Sequence, residues 1–317
     1  MSSATQSQIN MTVGWGLLER VMMSTVFTVP CCVFLFINGT MLFTLRSKSV
    51  FRETSRYILL YNLLFADTVL LVHGQLMYIL AAFKVTLTYP VCGVLIMLAN
   101  LNTVISPLTL LVMSLERCVA VCYPLKHATI VTIRNTEVAI IVVWTSSALN
   151  IFTKVILLLN FRFEELQSLQ MKRFCGKESM LLDQMSEIYD KCFTYCLFLS
   201  TGVTVSCSYM GVILVARSAC TDKASKARNT LLLHLVQLGL SLCSTVYSPI
   251  LIALSKVLDR TILMHLPSVF YVCLVIFSRC LSSLIYGVRD QTIRPVLLYN
   301  LCFQRKCSLC LSRPDKY

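Results

Sequence analysis

Long runs of apolar residues separated by short polar stretches dominate the chain from about residue 22 onward. A bilayer core about 30 Å thick needs about 20 apolar residues of helix to cross it. Seven stretches reach that length: about 22–45, 57–82, 92–122, 137–158, 192–216, 229–255 and 264–287. Unpaired backbone N–H and C=O groups are costly in hydrocarbon, so runs this long predict helices, and the short alternating strands of a barrel are not seen. The pattern predicts an all-α membrane protein, a seven-transmembrane helix bundle followed by a short amphipathic helix at the C-terminal end. Seven crossings place the two ends of the chain on opposite sides. The expected division is an N-terminal tail over 1–21, the bundle over 22–287, and a final helix and tail over 288–317.

Composition agrees with this reading. Of 317 residues, 56% are hydrophobic and only 14% charged, more apolar surface than a soluble domain of this length could hide. The net charge of +13 does not point to nucleic acid, because the basic residues fall between the apolar runs instead of clustering on one face or tail. Connections on the C-terminal side hold seventeen Lys and Arg, and those on the other side hold nine, five of them in 159–191 beside six acids. Basic residues are retained in the cytoplasm, so the C-terminus is expected inside, the N-terminus outside, and the protein in the plasma membrane. Most of the sixteen cysteines sit within apolar runs, where they behave as small hydrophobes. No cleavable signal peptide is evident, and the first span is expected to direct insertion. Of two sequons, Asn10-Met11-Thr12 is a candidate for glycosylation in the outer tail, whereas Asn38-Gly39-Thr40 lies mid-span, out of reach. No internal repeat or paired broken helices of the transporter kind appear.

Polar side chains inside hydrocarbon are costly unless partnered, so each is a functional candidate. The sharpest constellation runs from Met113 to His127, M-S-L-E-R-C-V-A-V-C-Y-P-L-K-H, with Glu116 and Arg117 at the inner end of the third span. An acid beside an arginine there can hold an ion pair in one arrangement and release it in another. A boundary ion pair with no switching role is the plainer alternative.

This stretch resembles the acid-Arg-aromatic motif of rhodopsin-like (class A) G-protein-coupled receptors, in the extended form typical of vertebrate odorant receptors, and the chain as a whole resembles teleost-type odorant receptors. Cys118 stands where the family has tyrosine. Further marks resemble the family along nearly the whole chain: Asn38 in span one, Asn62 through Asp67 in span two, Trp144 in span four, and Ser208-Tyr209 in span five. In span six, Lys226-Ala227 with Thr230 and His234-Leu235, then Tyr247-Ser248-Pro249, are similar to the odorant-receptor pattern. The seventh span departs most, since Asn-Pro-x-x-Tyr appears as Ser282-Ser283-Leu284-Ile285-Tyr286. The resemblance implies switch roles for Glu116, Arg117, Tyr209 and Tyr286, and a disulfide between Cys92 and Cys175 that tethers the long outer loop. Cys192 is then left over on that side.

Counting back from Tyr286 aligns Arg279 with a position that faces Asp67 in this fold. The expectation is that the two pair and that Arg279 fills the site where related receptors bind sodium; the alternative is that Arg279 snorkels or meets backbone carbonyls. After Tyr286, residues 287–300 mix basic and apolar positions like a helix lying on the inner leaflet. Cys302, Cys307 and Cys310 follow beside Arg305 and Lys306, which suits palmitoylation; free thiols are the alternative, and a zinc site there lacks a fourth ligand.

For the ligand, the resemblance offers Ala99, Asn100, Thr103 and Val104 on span three, and Phe193 and Leu197 on span five. It adds Tyr247, Ile250, Leu251 and Leu254 on span six, and Val272 and Val275 on span seven. Ala99 stands where amine receptors carry an aspartate, and this mostly apolar set suits a small neutral organic molecule. Core packing accounts for any one of them equally well, and Asn102, His73 and Gln75 read as contacts between helices.

The implied partners are an odorant-like ligand, membrane lipids and a heterotrimeric G protein of the stimulatory or olfactory type, with the ciliary membrane of sensory neurons as a possible address. A non-olfactory receptor for a lipid or peptide is the second reading. A transporter or channel, suggested by Asp67, Arg279 and His234, is the third. No cofactor, resident metal or enzymatic motif is expected.

Overall fold

The computed structural model describes residues 3–83, 85–160, 175–176, 183–218, 236, 239–241, 243–244, 271–290 and 292–300. In chain order the helices are α1 (Ser3–Ser47), α2 (Ser49–Arg52), α3 (Ser55–Ala82), α4 (Tyr89–Cys122), α5 (Pro124–Ile130), α6 (Ile133–Leu159) and α7 (Gln184–Ser218). A π-helical segment, Tyr271–Ile276, runs into α8 (Phe277–Arg289), and residues 293–300 form α9. Five described helical stretches are long and apolar enough to cross a membrane: Ser24–Ser47 of α1, α3, α4, α6 and Gln184–Val215 of α7. Most of the sixth span lies outside the described residues.

Local chemistry accounts for the starts of several helices. The Thr132 hydroxyl accepts from the Asn135 backbone N–H at 3.1 Å and so caps α6. Proline in the first turn of α4 and of α5 sits where its missing N–H costs nothing. Two expectations shift. Helix α1 begins at Ser3, so Asn10 lies within a helix that continues into the first span. Helix α7 begins at Gln184, ahead of residue 192, because Glu187 and Asp190 find basic partners in Lys191 and Lys154.

The bundle turns large apolar side chains outward and buries polar groups alongside an apolar core. Val33, Phe36 and Phe43 of α1 and Ile141, Val142 and Phe152 of α6 are exposed, while Asn38, Thr44, Asp67, Ser147 and Arg279 are buried. That polarity suits lipid as the surrounding solvent, with interior groups bonding one another across helices. Helix α4 packs against α3, α6 and α7. Asn62 ties three helices together: its amide donates to Thr109 Oγ1 at 2.9 Å, and its carbonyl oxygen accepts from Trp144 Nε1 at 2.9 Å. Gln75 donates to Thr28 Oγ1 at 3.1 Å, linking α3 to α1.

Helix α9 is amphipathic. Ile293 and Leu297 join the core formed by Met41, Leu60 and Met113, whereas Leu298 and Tyr299 are exposed. Gly287 makes room for it, since a Cβ there would meet Leu297 Cδ2 at 2.8 Å. Asp290 accepts from the backbone N–H of Thr292 (2.9 Å) and Ile293 (3.2 Å), capping α9, and also pairs with Arg56 and accepts from the Tyr57 hydroxyl. At the far end Asn300 Nδ2 donates to Thr44 Oγ1 at 2.9 Å.

Candidate functional site

Three places carry chemistry. The first is the final stretch of α4. Arg117 Nε lies 3.4 Å from Glu116 Oε2, and His127 Nε2 of α5 lies 3.8 Å from Glu116 Oε1. The Glu116 side chain is 10% exposed and Arg117 20%, so the pair is shielded yet within reach of solvent. The Pro124 start of α5 folds the chain back after Tyr123 and brings His127 over the carboxylate. Protonated, His127 would add a second positive partner for Glu116. Tyr209 of α7 is half-buried, and Tyr286 lies on α8.

The second place is mid-bundle. Arg279 Nη1 donates to Asp67 Oδ1 at 3.1 Å, with the two side chains 4% and 2% exposed. Ser106 Oγ donates to the same carboxylate oxygen at 2.9 Å, and Arg279 Nη2 donates to Ser244 Oγ at 3.1 Å. The guanidinium therefore joins spans two, six and seven directly, and span three reaches it through the Asp67 carboxylate. Neither charge could remain at this depth alone, and together they are held by hydroxyls from two further helices. The wide turns of Tyr271–Ile276 immediately precede Arg279; such segments change the direction in which the following helix presents its side chains. One turn further on, Ser283 donates to the side-chain oxygen of buried Asn38. Ser283 stands where the resemblance has proline, so the departure from the family motif supplies a bond between α8 and α1.

The third place is the opposite end of α4. Cys92 and Cys175 form a disulfide, and Cys92 is fully buried beside Ile96 with Met77, Leu87 and Tyr89 against them. Cys192 is exposed and free. Of the residues offered for ligand contact, Ala99, Asn100, Thr103, Phe193, Leu197 and Val275 are half-buried and Val104 is buried. The Thr103 hydroxyl donates to the Ala99 carbonyl at 2.8 Å. Phe193 stacks on Tyr189 at 6.2 Å between ring centroids. Val272 lies on the π-helical segment. Tyr247, Ile250, Leu251 and Leu254 fall outside the described residues, as do His234, Cys302, Cys307 and Cys310.

Two clusters were not singled out from the sequence. Lys154 Nζ pairs with Asp190 Oδ1 at 2.7 Å, joining α6 to α7, and Tyr189 donates to Asn150 Oδ1 at 3.2 Å beside it. The Asp290 hub is the other. An Asp two to three residues before an apolar run is a helix-start signal, and it could have placed the beginning of α9.

Comparison with known proteins agrees with the architecture. Residues 37–286 match the family described as 7 transmembrane receptor (rhodopsin family). Odorant receptor 131-2 of Danio rerio is 28% identical over 299 residues, covering 92% of this chain and 90% of its own length. Olfactory receptor-like protein OLF4 of Canis lupus familiaris is 26% identical over 264 residues, covering 80% of this chain and 82% of its own. With the matched region spanning most of the chain, its five described crossings and its acid-arginine pair, this multi-pass membrane protein belongs to the rhodopsin family of seven-transmembrane receptors.

Proposed function

We propose that the chain is an odorant-type receptor that takes a small, mostly apolar organic molecule near the disulfide end of the bundle and activates a heterotrimeric G protein at the Arg117 end. The observation that carries this is the closed Glu116–Arg117 pair, with His127 across it, at the end of α4 opposite Cys92. A ligand that favours a bundle arrangement in which the pair is open shifts the population toward it. Arg117 then meets the G protein, and Tyr209 and Tyr286 share in the switch. The Ala99 set on α4, Phe193 and Leu197 on α7, and Val272 and Val275 form the ligand contacts. Residues 1–21 with glycosylated Asn10 face outside, and residues 288–317 with palmitoylated Cys302, Cys307 and Cys310 face the cytosol. Both named relatives are odorant or olfactory receptors, which supports the stimulatory, olfactory class of G protein and a ciliary location.

Full-length receptor at the cell surface, with cAMP read against a chemically diverse odorant panel, tests the reading. At least one odorant raises cAMP, and Arg117→Ala removes the response at unchanged surface level. A response that survives Arg117→Ala, or terminal tags accessible from the same side of intact cells, overturns it.

A further inference from the structure

The short connection between the first two spans and the helix after the last one carry exposed charge that the receptor function leaves unused. Arg46 lies in the last turn of α1, Lys48 precedes α2 and Arg52 ends it, and all three are exposed. Arg294 is exposed on α9. Among the described residues none of the four pairs with an acid. Of the two acids on these elements, Glu53 is exposed, whereas Asp290 is buried and held by Arg56 and Tyr57. Four exposed cations against one exposed acid leave a local excess of three positive charges.

Packing brings these charges to one edge of the bundle. Leu45, Phe51, Ile293 and Leu297 share one core cluster, so α2 and α9 rest on the same surface. Asn300 bonds Thr44 at one end of α9 and Asp290 bonds Arg56 at the other, with about 15 Å of chain at helical rise between them. The cations therefore stand on backbone that is already fixed, and little order remains to be imposed when they are engaged. Phe43 and Val50 on one side of the rim, and Leu298 and Tyr299 of α9 on the other, are exposed apolar neighbours in sequence. An apolar band with a basic rim is the complement of an anionic lipid, whose acyl chains meet the band while its headgroup meets the rim.

Lipids with a single negative charge would have to gather three at a time to match this excess. A phosphoinositide with two ring phosphates matches it alone, since each phosphomonoester carries a charge of about −1.5 to −2. The entropy of confining a lipid is then lost once instead of three times. We propose that Arg46, Lys48, Arg52 and Arg294 form a docking site for the headgroup of such a bisphosphorylated inositol lipid. The cytoplasmic leaflet holds the anionic inositol lipids, and the placement of this edge there rests on the orientation proposed above. A lipid held at the rim ties α2 to α9 from outside, in parallel with the Arg56–Asp290 pair.

The test uses the full chain in phosphatidylcholine nanodiscs doped with phosphatidylinositol bisphosphate or with phosphatidylserine at matched total charge, and native mass spectrometry counts the lipids that stay bound. The bisphosphate lipid is retained at least about fivefold over phosphatidylserine, and Arg46→Gln, Lys48→Gln, Arg52→Gln and Arg294→Gln each lower its retention roughly fivefold. Glu53→Gln removes the exposed acid and raises retention, a gain that misfolding cannot imitate. Lys126→Gln/Arg134→Gln, on the connection between spans three and four, leaves retention unchanged. Equal retention of the two lipids overturns the site, as does retention that survives all four glutamine variants. An equal loss in Lys126→Gln/Arg134→Gln shows only the diffuse attraction of basic loops and overturns it too. Both faces of a nanodisc carry the lipid and no odorant is added, so a failed odorant screen or a reversed orientation leaves these readings standing.

Discussion

Removing one partner of the Asp67–Arg279 pair should cost more than removing both. Asp67 accepts from Arg279 and Ser106, and Arg279 donates to Asp67 and Ser244, with both side chains almost fully buried. Arg279→Met leaves a carboxylate at membrane depth without its guanidinium. Asp67→Asn leaves a guanidinium beside neutral oxygens only. Breaking a buried pair from either side costs about 3–5 kcal/mol, most of it the stranded charge. The double variant strands no charge, and the amide oxygen introduced by Asp67→Asn can still accept from Ser106, so it should recover more than one single loss, over about 3–5 kcal/mol of a sum of about 6–10 kcal/mol. Receptor solubilised in detergent can be melted while a thiol-reactive dye reports unfolding, with Cys31 and Cys280 buried in one cluster as built-in reporters. The double variant is expected to melt above both single variants. A double variant that melts below each single one, with losses adding to within about 0.5 kcal/mol, would refute the coupling.

Asp290→Ala removes the α9 cap and the link to Arg56 and Tyr57, with an expected loss of about 1–3 kcal/mol. Hydrogen exchange at Thr292 and Ile293 should speed up more than in Asp290→Asn, which keeps a capping oxygen; equal rates would count against the cap. Trp144→Phe leaves the Asn62 carbonyl oxygen without its indole donor and should lower stability by about 1–2 kcal/mol, read as a lower melting temperature at unchanged topology. Cys92→Ser or Cys175→Ser should cost about 2–5 kcal/mol and sharply reduce surface expression, and the two losses together should equal either alone.

The crossings were legible because lipid demands a run of apolar residues of fixed length, and that run needs no knowledge of neighbours. Helix ends were less so. The extension of α7 back to Gln184 is charged, and its support comes from Lys154 on α6, which no local pattern reveals. Asp67 and Arg279 stood out because charge is rare within a span, whereas Ser106 and Ser244, which complete the cluster, look like any other small polar residues of a helix interface. His127 sat in plain view within the Glu116 stretch, but its approach to the carboxylate depends on how α5 folds back after Tyr123. Cys118 and Cys122 share a helix face by their four-residue spacing, whereas the approach of Gly211 to both emerges only when α7 is laid against α4.

The 212 residues that separate Asp67 from Arg279 have a consequence for biosynthesis. At about 5–20 residues per second, the ribosome delivers the arginine roughly 10–40 s after the aspartate. Throughout that interval the nascent second span carries the acid before its Arg279 partner has been made, with Ser106 of the third span able to reach it first. A chain truncated before residue 279 never leaves that condition. The late-arriving guanidinium thus marks completion of the polypeptide, and export from the endoplasmic reticulum should depend on its arrival.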